Sequence, residues 1–192
     1  MGFDNDCSQC GFIGNLSLDE VIANDTRELQ ELGGSFEEIA DRMDSFITRI
    51  EKKFLPDRNK KRADIFRQHG YDTEEIFDVP GRDDDPSTPR GRVMRDINTL
   101  FRTPILVPGE NEIEVVDTIH TRGMQRCPYV ECGRFLSSSA YVVRNTRTGR
   151  ELYINQTTEH LAREHHLLEK GNEYGITPRE FYESFMFDRQ VR

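Results

Sequence analysis

Between Phe36 and Phe54 the apolar residues fall at steps of three and four: Phe36, Ile39, Met43, Phe46, Ile50 and Phe54, with Ala40 and Ile47 beside them. That spacing predicts a helix with one apolar stripe, ending near Pro56, where the backbone N–H runs out. Two starts are marked by "SLDE" at Ser17–Glu20 and "SFEE" at Ser35–Glu38. In each, the serine hydroxyl can take the glutamate amide while the carboxylate reaches back to the serine N–H. Gly33 and Gly34 close the first helix, and a third, shorter one is expected from Pro56 to Gly70. The stripe from 36 to 54 serves either the chain's own core or a seam for self-association or a protein partner. About three heptads is the minimum for a coiled coil, so the core is the first reading.

The pattern changes at "VPGRDDDPSTPRG", Val79–Gly91, which reads as a loop or linker. It divides a helical region, residues 1–78, from a second unit, residues 92–192. A short helix is expected around Arg92–Phe101. Beyond it, Ile113, Val115, Asp117 and Ile119 alternate against Glu112, Glu114, Val116 and Thr118, the period of a half-exposed strand. "SAYVVRN" and "ELYIN" are strand-like and joined by "TRTGR", with Gly149 for the turn. A helix capped by Thr157 or Thr158 should come next and run to Gly171. "TPRE" then opens a last helix: Thr177 caps it, Pro178 takes its first position and Glu180 completes the box. Phe181, Phe185 and Tyr182 or Met186 would dock it. The expected fold class is α+β, a helical N-terminal half and then a strand, a cysteine turn, a hairpin, a helix and a docking helix.

Composition narrows the picture. The 192 residues are 35% hydrophobic and 32% charged, and 12 Phe and 6 Tyr supply a core. No run approaches the ~20 apolar residues of a membrane span, and no membrane partner is expected. The first ten residues, "MGFDNDCSQC", carry neither the basic start nor the apolar stretch of a secretion signal. The expected location is cytoplasmic, where four cysteines serve as thiols rather than disulfides. A net charge of -9 argues against a general grip on nucleic acid. Between residues 120 and 150, however, Arg122, Arg126, Arg134, Arg144, Arg147 and Arg150 face one acid, Glu131. Tyr129, Phe135, Tyr141 and Tyr153 interleave with them, which makes the segment a candidate nucleic-acid or partner contact.

The cysteines come as two pairs, Cys7/Cys10 and Cys127/Cys132, each with a glycine after its second member. "CPYVECG" puts two thiolates on one tight turn. In the helix after the hairpin, ~100° per residue places His160 and His165 together on the inner side, while His166 points away. Four intervening residues lie within the usual three to five for paired zinc histidines. The proposed ligands are Cys127, Cys132, His160 and His165, and the expected cofactor is a structural Zn2+ ion. Cys7 and Cys10 form a candidate second half-site without a nearby mate. The alternative is that they join Cys127 and Cys132 in a four-cysteine site and leave the histidines free, since closing so long a loop costs entropy that grows only slowly with length.

The stretch from about residue 125 to 171 resembles zinc fingers of the two-cysteine, two-histidine or treble-clef type. A spacing of 27 residues between Cys132 and His160 exceeds the ~12 of the ordinary two-cysteine, two-histidine finger. That departure favours the treble clef, and the resemblance implies zinc used for scaffolding. The expectation is a non-enzymatic, zinc-stabilised binding or regulatory protein. The alternatives are a nucleic-acid binder using the arginine-rich face and a zinc-dependent hydrolase. "HLAREHH" departs from the helical hydrolase motifs because Glu164 comes four residues after His160.

Overall fold

Ser17 and Glu20 close the first capping box: Ser17 N–H donates to the Glu20 carboxylate at 2.9 Å, and the Glu20 amide donates to the Ser17 hydroxyl at 3.3 Å. A computed structural model describes residues 17–71, 85–119, 124–137, 139–168 and 175–186. Helix α1 (Leu18–Leu32) ends at Gly33, whose φ of 63° suits glycine. Ser35 and Glu38 repeat the box and open α2 (Phe36–Arg49). The helix does not stop before Pro56. A π-helical turn, Ile50–Phe54, leads directly into α3 (Leu55–Gln68). Pro56 falls in the first turn of α3, where a missing N–H costs least. The wider turn before it, closed by Leu55 N–H on the Ile50 carbonyl, replaces bonding that a proline would break.

Helix α4 (Pro89–Arg102) begins inside the stretch read as linker, with the Thr88 hydroxyl accepting from Gly91 N–H at 3.0 Å and Pro89 at its start. Strands β1 (Ile105–Leu106) and β2 (Ile113–Ile119) come next, then a short ribbon of β3 (Met124–Arg126) with β4 (Phe135–Ser137). The hairpin β5 (Ala140–Asn145) and β6 (Glu151–Asn155) leads into α5 (Gln156–His165), and α6 (Pro178–Phe185) comes last. The main sheet is antiparallel in the order β1-β2-β5-β6, and β3-β4 stands as a separate pair. The fold is α+β. Ile113 and Val115 point inward as expected, but the register shifts between Val115 and Asp117 and leaves Asp117 exposed. A bulge of this kind resets the alternation.

The helical stripe lies against the sheet. Ile39, Phe46 and Ile50 share one core with Ile113, Val143, Leu152 and Ile154, and with Phe181 and Phe185 of α6. The core therefore draws on residues from both sides of the 79–91 stretch. Phe46 and Phe185 meet edge to face, centroids 6.3 Å apart. Thr177 and Glu180 cap α6 as expected. At the edge of this core the largely buried Glu110 carboxylate takes both nitrogens of the Arg42 fork at 2.9 Å and Arg49 at 2.7 Å. Among the described residues no helix is long and apolar enough to cross a membrane.

Candidate metal centre

The two cysteines are held by a knuckle between β3 and β4. Cys127 N–H donates to the Arg134 carbonyl at 2.9 Å, continuing the ribbon. Val130–Cys132 then form one 3-10 turn, and Gly133 leaves it with φ 64°. A side chain at Gly133 would be strained in that left-handed conformation. The histidines come from α5. Its cap is Asn155, ahead of the threonines expected in that role: Asn155 accepts from Thr158 N–H at 2.8 Å, and Thr158 accepts from Asn155 N–H at 2.9 Å. Helix α5 also ends earlier, at His165, rather than at Gly171, which lies outside the described residues. His166 takes φ 54°, and Leu167 N–H returns to the Leu161 carbonyl at 3.1 Å. Packing fixes this turn. Leu167 enters the cluster around Cys127, Leu168 enters the main core, and the His166 ring stacks on Phe36 at 5.0 Å.

Knuckle and helix bring Cys127, Cys132, His160 and His165 together. Their ligand atoms all lie within 4.8 Å of one another, and the group could hold a metal ion. Cys127 Sγ is 3.3 Å from His165 Nε2, and Cys132 Sγ is 3.2 Å from His160 Nε2. Cys127 and His160 are each only 2% exposed. Burial, and after it the Arg134 charge, lowers the His160 pKa; burial, and after it His160, lowers that of His165. Both rings are thus biased toward the neutral form that can donate a lone pair. The imidazoles are set edge to face, 87° apart.

Tyr129, read from the sequence as one of the aromatics of a candidate nucleic-acid or partner contact and given no role at the metal, lies parallel to His165 at 3.8 Å. Its hydroxyl is pushed up to about 12 by burial, the Cys127 charge and Asp19 of α1. Tyr129 shares a cluster with Val21, Cys127, Leu161 and Leu167, flanked by Leu18 and Cys132, so α1 forms one wall of the site. The one cue in the sequence was an aromatic between the two cysteines. A cavity of about 300 Å³ opens beside the cluster, lined by Tyr129, Glu131, Cys132, Arg134, His160, Glu164 and His165.

The arginines expected to share a face divide. Arg144 pairs with Glu114 at 3.0 Å, Arg147 with Glu112 at 3.2 Å, and Arg150 with Glu180 at 3.3 Å. Arg126 and Arg134 sit on the knuckle, exposed, and have no carboxylate partner among the described residues. Arg122, Cys7 and Cys10 lie outside the described residues. Of the aromatics expected beside them, Tyr129 and Tyr141 are buried, Tyr153 is partly buried and Phe135 is exposed. In comparisons with known proteins, no family model, no curated protein and no solved structure matches this chain.

Proposed function

We propose that Cys127, Cys132, His160 and His165 bind one structural zinc ion, and that the chain is a zinc-stabilised binding or regulatory protein. The observation that carries this reading is the convergence of two thiols and two imidazoles from a knuckle and a helix. Thiolate and imidazole are the donors zinc prefers, and four of them fill a tetrahedron. Ordinary zinc bond lengths imply sulfur–nitrogen edges of about 3.6 Å, so contacts of 3.3 and 3.2 Å need only a small opening. Knuckle, hairpin and helix succeed one another in treble-clef order. With all four positions supplied by protein, no coordination site remains for substrate, which counts against the hydrolase despite Glu164 in the cavity wall. Pairing of Arg144, Arg147 and Arg150 with glutamates counts against a broad nucleic-acid face. Thiolate ligands suit a reducing, cytoplasmic setting.

A zinc scaffold here has a physical purpose. The β3–β4 ribbon has three residues per strand, too few to stand alone. The ion would tie it to α5, while α1 covers one side. Melting the protein with and without a strong chelator tests this. The expected result is a Tm lower by about 10 °C, restored by zinc and not by magnesium. An unchanged melting curve contradicts it.

A further inference from the structure

We propose that the outer face of the β3–β4 knuckle is a docking surface for an acidic, apolar-anchored segment of a partner protein. The proposal rests on the zinc reading, because the ion would hold the ribbon in shape. Four large hydrophobic residues stand exposed among the described residues, and three belong to the knuckle: Met124 at 61%, Phe135 at 61% and Val130 at 47%. The register explains their grouping. Arg126 pairs with Phe135 and Met124 with Ser137, so these four side chains share one face of the ribbon. The opposite face carries Leu136, which pairs with Gln125 and is partly buried, while in the plane of the ribbon Ser137 N–H donates to the Gln156 side chain of α5 at 3.1 Å. Arg126 bends over the turn to the Val130 carbonyl at 3.3 Å, which holds its charge beside the apolar residues.

Charge selects the occupant. Arg144, Arg147 and Arg150 are neutralised by glutamates, whereas Arg126 on this face meets no carboxylate among the described residues; Arg134, one residue before Phe135, turns to the opposite face and lines the cavity beside His160. An arginine beside methionine and phenylalanine has the composition of an interface core, where aromatic residues, Met and Arg are enriched. A complementary segment carries a carboxylate for Arg126 and an aliphatic or aromatic anchor for Phe135 and Met124. Single-stranded nucleic acid fits less well. Its binders array several aromatic platforms along a basic groove, while this face offers one exposed ring and one arginine on a chain of net charge -9. A second copy of the chain would bring the same arginine against itself across a two-fold axis.

The test is a selection from a random 12-residue peptide display library on the immobilised full-length, zinc-loaded protein. A Met124→Ser/Phe135→Ser variant serves as counter-target, and zinc content is measured on both. Both substitutions are at exposed positions, so the fold and the metal should survive. The expected winners combine at least one Asp or Glu with an apolar anchor. They bind wild type at least tenfold tighter than the variant, lose at least tenfold on Arg126→Glu, and weaken with salt. Zinc-loaded protein that enriches nothing, enriches basic peptides, or binds the winners equally in the variant overturns the docking surface alone. A Phe135-dependent grip on a 20-nucleotide oligo-dT, without acidic peptide binding, also overturns it in favour of nucleic acid. Protein that takes up no zinc removes the metal reading, and this proposal with it.

Discussion

Tyr129 and His165 lie ring on ring, 3.8 Å between centroids and 4° from parallel. The contact joins the cysteine knuckle to the helix that supplies the histidines, within the cluster that also receives Val21 and Leu18 of α1. A stacked ring fixes the plane of an imidazole without taking a ligand nitrogen. With an ion bound, it would support the ligand from outside the metal's own shell.

Tyr129→Ala should therefore weaken zinc binding about ten- to a hundredfold, the usual cost of losing a supporting partner. Tyr129→Phe keeps the ring and should stay within a few fold. Competition with a chromophoric chelator measures both. Equal losses in the two variants would place the effect in the hydroxyl and rule out a role for stacking.

Glu110 is the second relationship with a measurable consequence. Its carboxylate answers two arginines of α2, Arg42 and Arg49, just before β2 begins. Glu110→Ala leaves Arg42, only 20% exposed, without its fork partner. The expected cost is about 2 kcal/mol, less than for a fully buried pair because Arg49 is 36% exposed. Urea unfolding reads it as a lower midpoint with an unchanged slope.

His69 and Asp96 clasp α3 to α4 at 3.0 Å beside Phe66, Val93 and Ile97. The hydrogen bond from His69, as the largest cause, holds the Asp96 carboxyl below its ordinary value of 3.8. A depressed carboxyl pKa stabilises the fold above the ordinary value, and that contribution disappears as pH falls through the folded one. Asp96→Asn should lower Tm slightly at pH 6, by the equivalent of about 0.5 kcal/mol for so exposed a pair. The gap between variant and wild type should narrow as pH drops through the carboxyl range. A gap independent of pH would assign the loss to helix propensity.

The features that the sequence carried locally were readable. Serine or threonine with glutamate three residues on announced three capping boxes, Gly149 marked its turn, and helical phase separated His160 and His165 from His166. The convergence of Cys127, Cys132, His160 and His165 was legible because thiol and imidazole chemistry is rare and their spacing restrictive. What escaped was set by neighbours distant in the chain. Nothing near Pro56 specifies a π turn; burying Ile50 and Phe54 in the same core as Ile39 does. The end of α5 depends on Leu167 and Leu168 entering two different clusters. The arginine face divided because Glu112, Glu114 and Glu180 arrive from other elements. Charge read along a chain says little about charge paired in space.

The central claim is tested most directly by native mass spectrometry on protein purified without added zinc, beside Cys127→Ser, His160→Ala and Cys7→Ser. One zinc per chain is expected in the wild type and in Cys7→Ser, with the ion lost from Cys127→Ser and His160→Ala. Zinc retained by His160→Ala and lost by Cys7→Ser would move the site to four cysteines, and metal-free protein throughout would contradict the account outright.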